Sequence, residues 1–350
     1  MSSESHTPPA SPPSSRARAS IADVASHAGV SAQTVSRVAN GRASVRPETR
    51  DRVLASMRAL GYRPNSAARN LKSGRFRSIG FVTFNLTSVG NALTMNAVAA
   101  ACEAAGYTTT LLPLTEPTQH GVAGAFGRLE EQAVDGIILV MSAEVGSIHD
   151  TGFAGGVPLV VVDADAPVPY TNVDTDQEQG ARSAVQHLLD LGHRDIVHLT
   201  GPADSFPSRR RADAFREAMR DAGQETRPVM VGDWSAASGL ERMRELLATG
   251  PPPTAVFAAN DHMALGVLNA LHEAGLRVPH DVSVVGFDDT AEAALYWPPL
   301  TTVHQNLDEV GRRAASILLG LIDGAPDLGR RTVVPTELVV RASTGPARGA

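Results

Sequence analysis

Cysteine and long apolar runs are nearly absent from this chain of 350 residues. The single cysteine, Cys102, cannot form an internal disulfide, which is typical of a reducing compartment. It lies in an alanine-rich helical stretch, where we expect a buried side chain rather than a reactive thiol. No segment approaches the roughly 20 consecutive apolar residues of a membrane span, and the first residues carry no apolar signal-peptide core. The composition therefore favours a cytoplasmic protein without a membrane partner.

Signatures of catalysis are also missing from the sequence. We find no glycine-rich phosphate loop, no Gly-x-Ser-x-Gly turn and no cysteine–histidine spacing typical of a metal site. The segment "FNLTSVGN", after the first predicted strand, lacks the glycine fingerprint of a dinucleotide-binding fold. For His187, His193 and His198, helix-end and strand positions predict solvated or capping roles. The sequence predicts a protein that is not an enzyme and has no cofactor and no metal site.

Charge is distributed unevenly along the chain. The net charge is -6, yet residues 16–77 carry 13 Arg or Lys side chains against only three acidic ones, a local charge of +10. Because Glu4 is the only charged residue before position 16, residues 78–350 hold 15 excess negative charges. This asymmetry predicts a separate head that binds a polyanion, attached to an acidic body.

The N-terminal part of the chain divides into a tail and three short helices. Residues 1–19 are rich in Ser and Pro, which predicts a disordered tail. Residues 20–63 contain "SIADVASHAG", "SAQTVSRVAN" and "RPETRDRVLASMRALG", with Ser20 and Ser31 as N-caps of the first two helices and Gly61 after the third. Apolar residues at helical spacing predict one shared core, formed by Ile21, Val24, Ala25, Val30, Val35, Val38, Val53, Leu54, Met57 and Leu60.

From Ser78 onward, strands alternate with helices. The runs "SIGFVTF", "TTTLLPL", "DGIILVM", "VPLVVVD", "DIVHLTG", "RPVMVGD", "TAVFAAN" and "DVSVVGFDD" predict strands, most of them buried on both faces. Helical stretches between them predict an α/β fold with two parallel sheets built from right-handed crossovers. We expect two lobes with a cleft between them. Their predicted boundaries are about 78–174 with 306–333 for lobe one, and 175–303 with 334–345 for lobe two, within a domain of residues 78–345.

The segment "AGVSAQTVSRVANG" has the chemistry of the reading helix of a helix-turn-helix. Side chains that start such a helix must be small or able to hydrogen-bond if they are to approach base edges in the major groove. Ala32 can contact a thymine methyl group, Gln33 can bridge adenine and Arg37 can bridge guanine. A solvated amphipathic helix is the alternative, but the basic surroundings favour double-stranded DNA. Contacts to phosphates suit Ser31, Thr34 and Asn40.

These motifs resemble a known family. "SIADVASHAGVSAQTVSRVANG" and "RPETRDRVLASMRALGYRPNSAARNLKSGR" are similar to the DNA-binding head of the lac repressor (LacI/GalR) family. "GDWSAASG", "AANDHMALG" and "VVGFDDT" resemble segments of its body, so the resemblance covers nearly all of residues 20–341. It implies a periplasmic-binding-protein-like two-lobed body, operator DNA and a small-molecule effector as partners, and association with the nucleoid. The tail "ASTGPARGA" shows no leucine heptads, so we expect a homodimer rather than a tetramer.

Residues 64–77 predict a hinge and linker between head and body. The segment is too short and polar to be a stable helix alone. The resemblance implies that Asn65 to about Leu71 becomes helical only on the operator, with Ala68 and Leu71 facing the partner hinge and Leu71 wedged into a minor-groove step. An ordinary apolar contact to the core is the alternative for Leu71. The DNA-binding set also includes Ser20 and Tyr62.

Polar residues that follow strands predict the effector site. In paired α/β lobes, ligands bind where the carboxyl ends of strands face the crevice. Asp163, Asn260 and Asp288 take such positions, and Arg211 and Trp234 add a guanidinium and an indole, which together suit sugar hydroxyls and an apolar sugar face. Helix capping by Asp163 or Asn260 and a core position for Trp234 are the alternatives. On the resemblance, the ligand-binding set is Phe84, Asp163, Arg211, Trp234, Asn260, Asp288 and Gln305.

The sequence therefore predicts a transcriptional repressor whose operator binding is controlled by a small sugar. Trp234 and Arg211 favour a galactoside or a similar glycoside. One alternative is the same regulator with a nucleoside or purine as effector. A free sugar-binding protein of the periplasmic type is another, but it would need a secretion signal and no basic head.

Overall fold

The computed structural model describes residues 19–39, 45–62, 74–84, 86, 88–114, 118–140, 156–164 and 170–348. The chain divides into two compact units, Met1–Arg75 and Phe76–Ala350. Most of the expected tail and hinge, including Asn65, Ala68 and Leu71, lies outside the described residues, and so does Asn40 at the end of the expected reading helix.

The described residues of the first unit form three helices: α1 (Ile21–Ala28), α2 (Ala32–Ala39) and α3 (Pro47–Ala59). Ser20 caps α1, because its Oγ accepts from the Asp23 backbone N–H at 3.2 Å while its own N–H donates to the Asp23 carboxylate at 2.7 Å. These bonds hold the pKa of Asp23 below its usual range. Ser31 starts α2 in the same manner, accepting from the Thr34 N–H at 3.2 Å. Both predicted N-caps are confirmed.

The core of this unit is small and apolar. Its buried members are Val24, Ala25, Ala28, Val35, Val38, Val53 and Met57. Ile21, Val30 and Leu60 pack at its edge, as expected. The prediction is wrong for Leu54, whose side chain is 40% exposed. Val53 and Met57 are four residues apart and share the inner face of α3, which turns the intervening position 54 outward.

The second unit contains twelve strands and seven α-helices among its described residues. The strands are β1 (Ser78–Phe84), β2 (Thr108–Leu114), β3 (Gly136–Val140), β4 (Leu159–Val162), β5 (Thr171–Thr175), β6 (Ile196–Thr200), β7 (Met230–Val231), β8 (Ala255–Ala258), β9 (Ser283–Val285), β10 (Thr302–Gln305), β11 (Arg331–Val334) and β12 (Thr336–Val339). The helices are α4 (Val89–Ala104), α5 (Gln119–Glu131), α6 (Gln177–Asp190), α7 (Phe206–Asp221), α8 (Ala236–Thr249), α9 (Asp261–Glu273) and α10 (Leu307–Ile322).

Two parallel sheets organise this unit. Lobe one is built on six strands in the order β11-β5-β4-β3-β1-β2, and lobe two on four strands in the order β7-β6-β8-β9. A short antiparallel pair, β10 with β12, accompanies lobe two. The α/β class and the two parallel sheets are as expected.

Helices cover both faces of each sheet. In lobe one, Val98 of α4 and Leu318 of α10 pack on one face, while Phe126 and Leu129 of α5 pack on the other. In lobe two, α6 and α7 share a core with Phe257, and α8 and α9 pack on the opposite face. Burial on both faces explains why the strands read as continuous apolar runs.

Several local expectations can be checked directly. Cys102 is fully buried, as predicted. The expectation of solvated or capping histidines is wrong for His193 and His198, which are buried and bond to the carbonyls of Gly345 and Phe257. Burial lowers the pKa of His198 to about 3, so it is neutral. Among the described helices, none is long and apolar enough to cross a membrane.

Candidate effector site and DNA-binding surface

A cavity of about 450 Å³ lies between the two lobes. Lobe one contributes the start of α4, Asp163 after β4 and Leu307 at the start of α10. Lobe two contributes residues that end or follow its strands or lie in the first two turns of its helices. These are Gln177, Ser205, Pro207, Arg211, Asp233, Trp234, Ser235, Ala236, Asn260, His262, Leu265, Asp288 and Gln305. A ligand in this cavity therefore contacts both lobes.

Four side chains in the cavity form a closed polar ring. Arg211 Nε donates to Gln177 Oε1 at 2.8 Å, and Gln177 Nε2 donates to Gln305 Oε1 at 3.1 Å. Gln305 Nε2 in turn donates to Asp288 Oδ1 at 2.7 Å, and that oxygen lies 3.8 Å from Arg211 Nη1. Because Arg211 only donates and the Asp288 carboxylate only accepts, these two side chains fix the orientation of the Gln177 and Gln305 amide groups. The ring therefore offers a ligand preset donors and acceptors.

Arg211 is the central cation of the cavity. It is nearly fully buried, and its guanidinium lies 3.7 Å from the centroid of the Phe287 ring and 5.6 Å from that of Trp234. Its Nη1 also donates to the Ala259 carbonyl. Burial lowers its pKa to about 10, while Asp288 opposes that shift, so Arg211 stays charged at neutral pH.

Asp288 lies on a tightly constrained turn. Its φ of 116° falls in a region that non-glycine residues seldom adopt. Asp261, fully buried beneath the turn, accepts from the Thr290 N–H at 2.8 Å and the Thr302 hydroxyl at 2.5 Å. Burial raises the pKa of Asp288 to about 6 and that of Asp261 to about 7. The turn thus directs the Asp288 side chain, a hydrogen-bond acceptor, toward the cavity, and its unfavourable backbone conformation costs some stability.

Trp234 and Asn260 are linked at the other side of the cavity. Asn260 Oδ1 caps α9 by accepting from Met263 N–H at 2.8 Å, and its Nδ2 donates to the Trp234 carbonyl at 3.0 Å. The Trp234 indole packs over Gly201, where an added Cβ would lie 2.3 Å from Cζ2. Asn260 therefore caps α9 and lines the cavity at the same time. Trp234 packs at the edge of the lobe-two core and also lines the cavity.

Asp163 is the carboxylate that lobe one brings to the cavity. It has φ of 57°, directly after β4. Burial, followed by the nearby Asp174, raises its pKa to about 6, while Arg211 and Arg210 oppose this shift. Asp163 and Asp288 therefore approach the cavity from different lobes with the same acceptor chemistry.

Six of the seven expected ligand residues line this cavity, and Phe84 does not. The Phe84 ring is buried in the core of lobe one with Val82 and Phe126. The expectation that it forms a cavity wall is corrected accordingly. Sequence reasoning missed Gln177, which completes the ring, and His262. Gln177 is the first residue of α6 and His262 the second residue of α9, and both helices begin shortly after a strand. These positions could therefore have indicated that both residues line the cavity.

The first unit presents the expected reading residues on one exposed side of α2. Ala32, Gln33 and Arg37 are exposed, whereas Val35 and Val38 are buried in the core. Ser20 and Ser31 are also exposed, and Thr34 and Tyr62 are half-buried. Thr34 Oγ1 lies 2.9 Å from Ser31 Oγ. In the described part of the chain, no cluster of three His, Cys, Asp or Glu side chains is arranged to hold a metal ion.

A three-helix head followed by a two-lobed α/β body with a polar cleft defines a class of helix-turn-helix regulators. Residues 20–65 match the family described as "Bacterial regulatory proteins, lacI family", and residues 185–344 match "Periplasmic binding protein-like domain". The HTH-type transcriptional repressor PurR of Pasteurella multocida (strain Pm70) is 37% identical over 333 residues, covering 93% of this chain and 98% of that protein. The lactose operon repressor of Escherichia coli (strain K12) is 34% identical over 323 residues, covering 92% and 89%.

Solved structures agree with these relatives. The lac repressor dimer bound to operator and the anti-inducer ONPF is 34% identical with a TM-score of 0.85, covering 93% of this chain and 99% of that chain. The complex of the transcriptional regulator CelR with cellobiose is 34% identical with a TM-score of 0.71, covering 93% and 100%. The chain belongs to the lacI family of bacterial regulatory proteins, and it is a transcriptional regulator rather than an enzyme.

Proposed function

We propose that this protein is a repressor whose operator binding is controlled by a neutral glycoside held between the lobes. The polar ring of Arg211, Gln177, Gln305 and Asp288, facing the cavity beside the Trp234 indole, is the observation that carries the proposal. Its mixed donors and acceptors suit adjacent hydroxyl groups, and the indole suits an apolar sugar face. One similar structure, the CelR–cellobiose complex, has a sugar as its ligand.

The lobes give the ligand a means of control. Asp163 comes from lobe one and Asp288 from lobe two, so one sugar that bonds to both favours a particular arrangement of the lobes. An effector shifts an equilibrium only by its differential affinity for the two states, typically about 1–3 kcal/mol of coupling. The relevant states are those that favour and disfavour operator binding.

A thermal-shift screen tests the sugar assignment. The panel contains galactose, lactose, glucose and cellobiose, with adenosine and guanine as the non-sugar arm. We expect a sugar to raise the melting temperature and to change operator affinity in a gel shift, and neither effect in Asp288→Ala. If only adenosine or guanine gives a response, the effector is a nucleoside or a purine and not a sugar. An altered sugar recovered from the incubation would contradict a purely regulatory role.

We propose that the head reads duplex DNA with α2. Its exposed Ala32, Gln33 and Arg37 support this role, as does the excess positive charge of residues 16–77. Selection from a pool of random duplexes should yield pseudo-palindromic sites, since each protomer reads one half. Binding to the selected site should weaken steeply with added salt, because phosphate contacts release counterions. A flat salt response would remove the electrostatic basis for the head.

The acting form is proposed to be a homodimer. Leu295 and Trp297 are 82% and 94% exposed, which is unusual for large apolar side chains on a monomer. A similar structure is a dimer on its operator, so a second copy is the occupant we propose for this surface. Light scattering should give the dimer mass, and Trp297→Ser should shift it toward the monomer. An unchanged dimer would place the interface elsewhere.

A further inference from the structure

A side-chain contact joins the two lobes next to the cavity. Arg210 lies on α7 of lobe two, and its Nη2 donates to the Ala164 carbonyl of lobe one at 2.8 Å. Its Nη1 lies 3.7 Å from Oδ2 of Asp174, at the end of β5. Ala164 directly follows Asp163, the carboxylate that lobe one brings to the cavity. Arg210 therefore bonds to the residue that follows Asp163 and holds the segment that brings Asp163 to the cavity.

Asp174 is a buried carboxyl group that does not line the cavity. Its side chain is fully buried, and its Oδ2 accepts from Arg331 Nε at 2.6 Å and from Asn172 Nδ2 at 3.2 Å. Its Oδ1 has no hydrogen-bond partner within the part of the chain that the structure describes. A buried carboxylate is costly unless it is paired, so the cations around Asp174 have a physical reason to stay in place.

The beginning of α7 is anchored in lobe one by a second contact. Phe206, the first residue of α7, is buried in the same apolar cluster as Val82, Phe126 and Ala164 of lobe one. Farther along the helix, Phe215 and Met219 belong to the core of lobe two. One rigid helix therefore spans both lobes at the edge of the cavity.

Successive residues on a helix point about 100° apart. Arg211 accordingly turns into the polar ring, while Arg210 turns to the Asp163–Ala164 segment. We propose that Arg210 is a positioning residue for the effector: it ties the lobe-one carboxylate Asp163 to the helix that carries Arg211, so that both meet the ligand in one fixed arrangement. The ligand part of this inference rests on the proposed function, whereas the tie between the lobes does not.

The variant Arg210→Met tests the tie without a ligand. It keeps the apolar stem, and Asp174 retains Arg331 as its partner, so we expect the protein to fold. Hydrogen–deuterium exchange of the ligand-free protein should then accelerate in residues 156–164 and stay unchanged in β1. Arg216→Met is the matched control, because Arg216 lies on the same helix in an exposed pair with Asp213 at 2.7 Å. Equal exchange of residues 156–164 in both variants would overturn the inference.

Ligand affinity provides the second readout. With the sugar that gives the largest thermal shift, calorimetry should show about a tenfold loss for Arg210→Met, the expected scale of a charged hydrogen bond, and none for Arg216→Met. Arg210→Lys should restore part of the loss, since it keeps one cation. If Arg210→Met lowers the melting temperature but leaves ligand affinity unchanged, the positioning role is wrong, and Arg210 only stabilises the fold. If no sugar binds even the unmodified protein, the sugar proposal fails, and the exchange experiment still decides the tie.

Discussion

Gly201→Ala should displace the Trp234 indole from the wall of the cavity. A Cβ at position 201 would lie 2.3 Å from Cζ2 and 2.5 Å from both Cε2 and Cη2 of the ring. Ordinary contacts between carbons lie near 3.5–4.0 Å, so the ring must move by about 1 Å or more. The backbone of Gly201 is outside the left-handed region, so the alanine itself is tolerated there.

The structure gives the displacement a magnitude. Overpacking a filled site costs about 1–3 kcal/mol, and because Asn260 Nδ2 holds the Trp234 carbonyl, the ring rather than the backbone must move. The free energy of unfolding should fall within that range. Ligand affinity should fall by about tenfold for each 1.4 kcal/mol of lost contact. Gly127→Ala is the control: no atom of the described residues lies within 4 Å of an added Cβ, and alanine in a helix should stabilise by about 0.5–1 kcal/mol.

Denaturant unfolding and calorimetry measure the two effects. Tryptophan fluorescence adds a local probe, because the chain has two tryptophans and Trp297→Phe leaves Trp234 alone. We expect altered Trp234 emission in Gly201→Ala and unchanged emission in Gly127→Ala. Unchanged emission, stability and ligand affinity in Gly201→Ala would refute the packing of the indole against Gly201.

The remaining predictions concern the reading helix and the acidic side chains of the cavity. Arg37→Ala should weaken binding to the selected duplex by about 1–3 kcal/mol and relax base preference at one position, measured by repeating the selection. Asp288→Ala should abolish the effector response in a gel shift while DNA binding is retained, and a normal response would show that the site lies elsewhere. The pKa values of Asp163 and Asp288 near 6 predict sugar affinity that falls as pH drops through that value, measured by calorimetry. Because these pKa values lie above the ordinary 3.8, the same groups should make the free energy of unfolding decrease as pH rises from about 4 to about 6.

Local rules predicted the head well. Ser20 and Ser31 were identifiable as caps because capping depends on residues three positions apart. Leu54 was assigned to the core within a set of apolar residues at helical spacing, but Val53 and Met57 occupy the inner face of α3.

In the body, local sequence rules were not sufficient to predict every element and site residue. The strand at Thr171–Thr175 was missed because its buried Asn172 and Asp174 depend on contacts such as that of Arg331, 157 residues beyond Asp174. Phe84 was assigned to the cavity on the resemblance alone, and because β1 is buried on both faces, the strand pattern could not show that its ring faces the core of lobe one instead. Gln177 was overlooked because its partner, Gln305, is distant in sequence.

The six-stranded sheet of lobe one has a consequence for synthesis of the protein on the ribosome. Its edge strand β11 and its covering helix α10 come from residues 307–334, after all of lobe two's parallel strands. Five of lobe one's six strands are therefore synthesised before lobe two, whose four parallel strands emerge within one uninterrupted stretch from Gln177 to Gln305. Since domains generally fold as units during translation, the parallel sheet of lobe two should form before that of lobe one is complete, and apolar surface on β3 and β4 needs protection until α10 arrives.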